Sequence, residues 1–477
     1  HTKYDCFPTG LNYLAGLGVT HIQLMPVHDY CTVDEFHPEK NYNWGYDPMQ
    51  YLSLEGSYSL NPDDPYSRMK EMRELVSTFH KKGMRVNLDV VFNHTYDVDS
   101  CCFNCVMPYY YYRYNEGGFL SNGSFCGNDF ASDKPMARKY LLYVISKMMD
   151  LYDVDGFRFD LMGILDVETM NAIKEKGKKK KADFMLYGEG WDLPTMLDYK
   201  KKASIMNQNV MPEIAHFNDY FRDAVKGKTS DDQKYSKGYI TGDTEHAFSF
   251  LSAITGNVMG DPLFKRFEQP DQTINNIETH DNSTSWDKMH ACCNNEDRQT
   301  RKERQKMMIL TTLISQGIPF LHAGCEFCGT KNDDSNSYNA PDRINQMDWE
   351  RAVFYSDIIE YTKKCIALRK EYKQFRLHTT EEIMEHVKVN VSEGGIVFYD
   401  IFMKDEQLLA EMCDSIKDEE HHIDAIRCIF NPSYNGREYD FEPDWKCIFD
   451  EYGQAHEEHG THVEVPALSI RIFARIA

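Results

Sequence analysis

The chain has 477 residues, of which 42% are hydrophobic and 13% aromatic, so it can bury a large core and lacks the composition of a disordered chain. This length is sufficient for one large domain and a smaller second one. The formal net charge of -22 disfavours a polyanionic nucleic acid as a partner, and it also disfavours binding to an anionic membrane surface.

Strand and helix signals alternate regularly up to about residue 380. Short apolar runs predict seven strands, at 19–27, 84–92, 155–161, 184–189, 213–217, 273–279 and 318–323. Helical periodicity between them is clearest at 9–17, 66–82 and 134–151. Such alternation is typical of a parallel α/β fold, and closure of a (β/α)8 barrel requires one more strand.

The chain opens with the predicted helix at 9–17, which leads directly into the strand at 19–27. We therefore expect a (β/α)8 TIM-type barrel that lacks its first strand, over residues 1–380. On this interpretation the natural protein begins further upstream, and whether this chain is active alone is left open.

The pattern changes after residue 380. Short, partly alternating apolar runs are separated by turn signals at Glu393-Gly-Gly395, Asn431-Pro432 and Tyr452-Gly453. They lie at 387–391, 396–399, 425–430, 447–449 and 468–473. This pattern predicts an antiparallel β-sandwich domain over residues 381–477.

Fourteen cysteines are spread thinly along the chain rather than clustered as in a small disulfide-rich domain. No apolar run approaches the roughly 18 residues that span a bilayer. These features indicate a reduced, cytoplasmic setting without a membrane partner. Secretion of a longer parent stays an open alternative, because an upstream signal peptide would lie outside this sequence.

Three acidic residues, Asp160, Glu189 and Asp281, lie at or just beyond the ends of apolar runs. In a parallel barrel these ends meet at one mouth, where active sites of this fold are built. Two carboxylates about 5 Å apart are the groups with which a retaining glycosidase works. Arg158 shares a strand face with Asp160 and favours its ionised form, as a nucleophile requires.

Glu189 is flanked by two glycines and followed by Trp191, so we expect an accessible carboxyl beside a ring that partly desolvates it, as suits a general acid. His94, His280 and Asn282 can hydrogen-bond sugar hydroxyls. A metal site built from the two histidines and nearby aspartates is the alternative, but neither histidine belongs to a metal-binding motif such as H-E-x-x-H.

Four motifs, in order along the chain, resemble the sequence regions of glycoside hydrolase family 13, the α-amylase superfamily. They are Asp89–His94, Gly156–Asp160 with Arg158, Glu189, and His280–Asp281. The resemblance implies that Asp160 is the nucleophile, Glu189 the acid/base and Asp281 the transition-state stabiliser. It also assigns Asp89 to the substrate-binding residues.

A further string, Tyr42-Asn-Trp-Gly-Tyr-Asp-Pro48, resembles the signature of the type I pullulanases, which cut α-1,6 bonds. The resemblance implies that Tyr46 stacks under a sugar while Asn43 and Trp44 shape the floor of the site. A later stretch, Asn336-Ser-Tyr-Asn-Ala-Pro-Asp342, resembles the same family and adds Asn336 and Tyr338 as substrate-binding residues. Cys325 is a departure, since the family usually has Gln there.

The sequence thus predicts a retaining glycoside hydrolase that cleaves α-1,6 branch linkages in pullulan, branched dextrins, starch or glycogen. Its partner is an α-glucan. No cofactor is required, no catalytic metal is expected, and a structural calcium is left open. The alternatives are an isoamylase-type or α-1,4-acting amylase of the same superfamily, or a non-catalytic glucan-binding relic.

Overall fold

The computed structural model describes residues 2–259, 265–403, 423–456 and 461–476, which fall into two compact units. The first unit, called the five-strand unit after its parallel sheet, comprises Val19–Phe217 and Tyr338–Asn345. The second unit, called the sandwich unit after its antiparallel sheets, comprises His1–Gly18, Asn218–Ser337 and Gln346–Ala477.

Parallel strands form the central sheet of the five-strand unit. They are β1 (His21–Leu24), β2 (Arg85–Val90), β3 (Gly156–Phe159), β4 (Met185–Gly188) and β5 (Ala215–Phe217). Each strand pairs in parallel with the next one along the chain. All residues of β3 and β5 are buried, as expected for parallel strands that are covered on both faces.

Helices of the five-strand unit occupy Pro65–Lys81, Cys102–Val106, Pro135–Tyr152, Val167–Lys178 and Asp342–Asn345, and a hairpin pairs His28–Tyr30 with Pro48–Leu54. The first of these helices is capped by the Asp64 side chain. Helical spacing places Met69, Met72, Leu75, Val76 and Phe79 in an apolar stripe, of which Met72, Val76 and Phe79 are buried, whereas Leu75 is exposed. The stripe therefore sets which helix face packs on the sheet.

In the described part of the sandwich unit, β6 (Thr273–Asn275) pairs in parallel with β7 (Ile318–Pro319). Its helices are Gly10–Leu17, Asp219–Lys226, Ala247–Ile254, Ser285–Cys292, Arg298–Ile314, Trp349–Phe354, Ser356–Glu371 and Thr380–His386. A short antiparallel pair, Lys3–Tyr4 with Phe7–Pro8, precedes the first helix and was not expected from the sequence.

An antiparallel sheet follows in the order β8 (Val387–Val391), β9 (Val397–Phe402), β10 (Ile423–Asn431), β12 (Ser469–Ile476) and β11 (Trp445–Phe449). A second antiparallel pair joins Arg437–Asp440 to His462–Val465. Buried residues from both sheets, including Ile429, Trp445, Val465 and Phe473, form one core cluster. This arrangement is a β-sandwich.

The predicted fold class is confirmed: among the described residues, seven strands in parallel pairing alternate with helices, and antiparallel strands follow from Val387. The strand predicted at 273–279 ends earlier, at Asn275. The domain boundary at residue 380 stays a prediction. Among the described helices, none combines the length and apolar character needed to cross a bilayer.

Candidate active site

One guanidinium, that of Arg158, contacts three carboxylates in the five-strand unit. Its Nη1 atom lies 3.0 Å from Asp89 Oδ1 and 2.9 Å from Asp160 Oδ1, and its Nη2 atom lies 2.5 Å from Glu189 Oε1. All four residues are buried. Asp160 and Glu189, predicted as nucleophile and acid/base, are therefore held side by side.

Parallel strand pairing brings these carboxylates together. The ladder continues one step beyond the strands, because the Asp160 N–H donates to the Val90 carbonyl at 3.0 Å and the Glu189 N–H donates to the Phe159 carbonyl at 3.2 Å. Both acids therefore lie at the carboxyl edge of the sheet, as the sequence predicts. The Leu161 N–H also donates to Glu189 Oε2 at 2.9 Å and fixes the second oxygen of that carboxylate.

Asn93 is a site residue that sequence reasoning did not single out. Its Nδ2 atom donates to Asp160 twice, at 2.8 Å to the backbone carbonyl and 2.7 Å to Oδ2. Its Oδ1 atom lies 2.5 Å from His94 Nδ1. Burial lowers the pKa of His94, although the nearby Asp160 charge opposes this. The sequence signal that could have identified Asn93 was its position directly before His94, inside the Asp89–His94 motif.

Tyr46 connects the predicted signature loop to the carboxylates. Its hydroxyl donates to Asp89 Oδ2 at 2.7 Å, and its ring centroid lies 5.7 Å from the Arg158 guanidinium carbon. The Phe217 ring lies at a similar distance, 5.6 Å, from the same carbon. Asp89 is fully buried and already occupied by Tyr46 and Arg158, so we interpret it as a positioning residue.

Asn43 and Trp44 lie behind Tyr46. The Asn43 Oδ1 atom accepts the Gly45 N–H at 2.9 Å, where φ is +93°, a conformation that favours glycine. The Trp44 ring is buried and contacts the Tyr46 and Tyr338 rings edge-on, each at 6.4 Å between centroids. These contacts fix the Tyr46 ring, whereas Tyr338 keeps an exposed face.

The charges of the cluster do not balance. Burial raises the pKa of Asp89 to about 7, with Arg158 lowering it and Asp160 raising it. Burial opposes the charge on Arg158, but Asp89, Glu189 and Asp160 keep its pKa well above the ordinary value. Three carboxylates around one guanidinium carry a net charge of -2 when all are ionised. We therefore expect the cluster to retain a proton near neutral pH.

The glycines on either side of Glu189 have a packing role. A Cβ atom on Gly190 would collide with the buried His216 ring, and one on Gly188 would collide with the Phe159 carbonyl. Glu189 itself is only 5% exposed, so these glycines do not give it the accessibility that we expected. Trp191 is half-buried, and its backbone lies against Gly163.

The remaining predicted residues lie in the sandwich unit. His280 is buried and its Nε2 atom lies 3.5 Å from Asp281 Oδ2, while the Lys331 Nζ atom donates to the His280 carbonyl at 2.9 Å. Asn282 has a φ of +63°. Asn336 is exposed. That Asp281 faces the same cavity as Asp160 and Glu189 stays a prediction.

Within the described ranges, two groups of side chains have geometry that suits a cation, Asp29 with Glu35 and Glu55, and Asp287 with His290 and Asp333. In each group the candidate ligand atoms lie within 4.8 Å of one another. Neither group includes a predicted catalytic residue. A structural calcium stays a prediction.

Comparison with known proteins identifies the family. The family model described as the catalytic domain of α-amylase matches residues 8–106. The pullulanase of Bacillus subtilis (strain 168) is 42% identical over 398 residues, which is 83% of this chain and 55% of that protein. The crystal structure of the type I pullulanase from Bacillus subtilis str. 168 complexed with maltose has a TM-score of 0.92 and 37% identity, over 99% of this chain and 65% of that chain.

This chain also matches the crystal structure of a pullulanase from Paenibacillus barengoltzii, in complex with maltohexaose and α-cyclodextrin, and it covers a larger share of that protein. It matches with a TM-score of 0.91 and 35% identity over 99% of this chain and 71% of that chain. The chain belongs to the pullulanase family. It spans little more than half the length of the curated Bacillus subtilis pullulanase. Pullulanase membership confirms the resemblance seen in the Tyr42–Pro48 signature, while the roles of individual residues stay predictions.

Proposed function

We propose that the protein is a retaining glycoside hydrolase that cleaves α-1,6 branch linkages in α-glucans such as pullulan, branched dextrins, starch or glycogen. The observation that carries this proposal is the shared contact of Asp160 and Glu189 with the Arg158 guanidinium. Two carboxylates at the ends of neighbouring parallel strands supply a nucleophile and an acid/base at close range.

In the proposed reaction Glu189 donates a proton to the bridging oxygen as Asp160 attacks the anomeric carbon from the opposite face. The glycosyl–enzyme bond forms while the glycosidic bond breaks, and the leaving sugar departs with the proton. Glu189 then removes a proton from a water molecule that attacks the same carbon, which releases Asp160. Two inversions give net retention of the α configuration.

The residues around the two acids keep them in position. Asn93 fixes one oxygen of Asp160, and Arg158 contacts the other, so the nucleophile has a defined orientation. Asp89 in turn holds Arg158 and the Tyr46 hydroxyl. Such support limits the movement of the reacting groups, on which rate depends steeply.

We assign Asp281 as the stabiliser of the oxocarbenium-like transition state, with His280 and Asn282 as hydrogen-bond partners of the substrate. A carboxylate suits this role because positive charge develops at the anomeric carbon. The proposed chemistry uses only side chains of this chain and needs no cofactor.

Specificity for the α-1,6 bond rests on the Tyr42–Pro48 loop and the family to which the chain belongs. The Tyr46 ring beside the carboxylates can stack on the apolar face of a glucose unit. An isoamylase-type or α-1,4-acting enzyme is not favoured by the pullulanases that the chain resembles. A non-catalytic relic is not favoured by an intact Asp160, Glu189 and Arg158 cluster.

The proposal is tested by incubating the protein with pullulan and, separately, with linear amylose. We expect maltotriose as the main product from pullulan and little release from amylose. Proton NMR during the first minutes should show that new reducing ends appear as the α anomer. Equal rates on both polymers would overturn the debranching assignment, and an initial β anomer would overturn the retaining mechanism.

A further inference from the structure

Two tyrosines form an exposed aromatic pair in the five-strand unit, outside the candidate active site. Tyr109 is 77% exposed, and the Tyr114 ring, which is half-buried, lies 5.4 Å from it between centroids with a tilt of 52°. The neighbouring tyrosines are used for packing. Tyr111 packs on the Phe103 ring, and the Tyr112 hydroxyl is bonded to Thr95.

The backbone presents Tyr109 in a conformation that a bulky residue rarely adopts. Its φ is +64°, in the left-handed region that favours glycine. Strain of this kind persists only where the surroundings impose it, and it concentrates at sites of function. The exposed ring of Tyr109 is therefore carried on a strained backbone, which glycine would adopt without strain.

The support of Tyr114 is rigid. Tyr114 forms an antiparallel bridge with Leu120, and Asn115 Oδ1 accepts the N–H groups of Gly117 and Phe119, each at 3.0 Å. The preceding Arg113 is buried and donates to Asp133 at 2.9 Å. A ring presented on such a hairpin loses little conformational freedom when a ligand binds.

Each ring of the pair carries a polar group of its own, the phenol hydroxyl. Burial, Tyr109 and the exposed Asp99 carboxylate, in that order, raise the pKa of Tyr114. The Tyr114 hydroxyl therefore stays protonated and keeps its hydrogen-bond donor. Aromatic faces with hydroxyls at their edges match a sugar, whose C–H face is apolar and whose rim carries hydroxyl groups.

We propose that Tyr109 and Tyr114 form a second glucan-binding platform, which holds a stretch of α-1,4-linked chain away from the bond that is cut. The proposal rests on the proposed function, which makes a neutral glucan polymer the ligand of this protein. The tilt between the rings suits a chain that curves, as α-1,4 glucans do. The strongly negative protein has no charge conflict with an uncharged polysaccharide.

A platform of this kind should act by effective concentration. Attachment at a second point raises the local concentration of branches at the active site, so it tightens binding of a polymer without changing the chemistry. A short branched oligosaccharide cannot reach both places. Removal of the two rings should therefore raise the KM for the polymer and leave the KM for a short oligosaccharide unchanged.

The experiment compares three variants, Tyr109→Gly, Tyr114→Ala and the double variant, with Tyr143→Ala as the matched control. Glycine at position 109 removes the ring and accepts the left-handed backbone without strain. Tyr143 is an exposed tyrosine of the same unit, on the helix Pro135–Tyr152. Binding of amylopectin is measured by retardation in native gels with Asp160→Asn present throughout, so that turnover does not consume the polymer.

We expect the double variant to weaken amylopectin binding by about tenfold, which corresponds to about 1.4 kcal/mol, and Tyr143→Ala to leave it unchanged. Tyr109→Phe should retain binding because it keeps the ring. With Asp160 restored, kcat and KM for a short branched maltooligosaccharide should match the unsubstituted protein, while KM for amylopectin rises.

Unchanged amylopectin retardation in a folded Tyr109→Gly variant would overturn the platform. An equal loss with Tyr143→Ala would overturn it as well, since the effect would not be specific to the pair. Failure of the unsubstituted protein to cut the short substrate would instead count against the proposed function. The binding comparison in the Asp160→Asn background still decides the platform in that case.

Discussion

The Arg158 guanidinium lies 2.5 Å from the Glu189 carboxylate, across two neighbouring parallel strands. The same guanidinium contacts Asp160, which follows Arg158 by two positions on the same face of β3. One cation therefore sets the spacing of the two acids. A lysine could not replace it, because an ammonium lacks the planar fork that contacts several carboxylates at once.

The assignment of the two acids predicts different products when azide replaces the missing carboxylate. Asp160→Ala should lose turnover by about 10⁴-fold or more, and azide should restore cleavage of an activated α-glucoside with a β-glycosyl azide as product. With Glu189→Ala, azide attacks the glycosyl–enzyme and should give the α-glycosyl azide. The anomeric configuration is read by proton NMR.

The opposite pattern of azide products would exchange the two roles. No rescue of either variant, in proteins that remain folded, would remove both residues from the covalent mechanism. Asp160→Asn serves as the binding control, because its amide keeps the size of the side chain and should preserve affinity for maltooligosaccharides.

A change at Asp89 should shift the pH dependence of catalysis. Asp89→Asn reduces the cluster from a net charge of -2 to -1 when its carboxylates are ionised, so less negative charge opposes loss of the proton that the cluster retains. The alkaline limb of kcat/KM, which reports Glu189 in the free enzyme, should therefore move to lower pH by about one unit. The measurement is the pH profile of kcat/KM on pullulan.

Asp155→Asn is the matched control for that profile. Asp155 is also buried, but it precedes β3 at the opposite end of the strand and accepts the Val86 N–H at 2.8 Å. Its replacement can lower stability without moving the alkaline limb. A limb that stays in place with Asp89→Asn, or that moves equally with Asp155→Asn, would contradict the charge argument.

Strand order and the convergence of Asp160 with Glu189 could be predicted from the sequence. Short buried runs that end in acidic residues leave few alternatives once the strands are parallel, because their carboxyl ends share one edge. The sandwich could be predicted for a similar reason, since alternating runs with turn signals are typical of antiparallel strands. Each predicted run after Val387 coincides with an observed strand.

Three features of the site could not be predicted, because they depend on tertiary neighbours. Asn93 is a neutral amide with no distinctive pattern, and only the structure shows that it bonds Asp160. The hydrogen bonds of Asp89 with Arg158 and Tyr46 had no signal in the sequence, and its contact with the substrate stays a prediction. Glycine is required at position 190 because a Cβ atom there would collide with the ring of His216, which belongs to a strand outside the motif.

Two variants of Tyr46 should separate the contribution of its ring to substrate stacking from the contribution of its hydroxyl to the Asp89 hydrogen bond. Tyr46→Ala removes the stacking surface and should lower kcat/KM on pullulan by about tenfold or more. Tyr46→Phe keeps the ring but leaves Asp89 without one hydrogen bond, so it should retain most of the affinity and alter the pH profile. Equal losses from both variants would show that the ring does not act as a platform.

The burial of His28 should make the stability of the fold depend on pH. This residue is fully buried, and neither ring nitrogen has a hydrogen-bond partner among the described residues. Burial, with a smaller contribution from His94, lowers the pKa of His28 to about 3. An unfolded histidine titrates near 6.5, so the unfolded state binds more protons than the folded state between these values.

Protonation of His28 should lower the stability of the folded state in acid. The neutral His28 ring is compatible with the folded state above about pH 6.5, and stability is lost as the pH falls from there toward about 3. At pH 5 this loss is about 2 kcal/mol. His28→Leu should therefore raise the melting temperature, and the gain should be larger at pH 5 than at pH 8, where only the unpaired ring nitrogens, at about 1–3 kcal/mol, are relieved.

Thermal unfolding at pH 5 and pH 8 measures both effects. The control is His37→Leu, a histidine of the same unit whose side chain is 54% exposed and whose replacement should change little at either pH. If His28→Leu lowered the melting temperature at both values, the ring would have to contribute packing or a polar contact that outweighs its burial. An equal gain at the two pH values would show that relief of the unpaired nitrogens, rather than proton uptake on unfolding, accounts for the change.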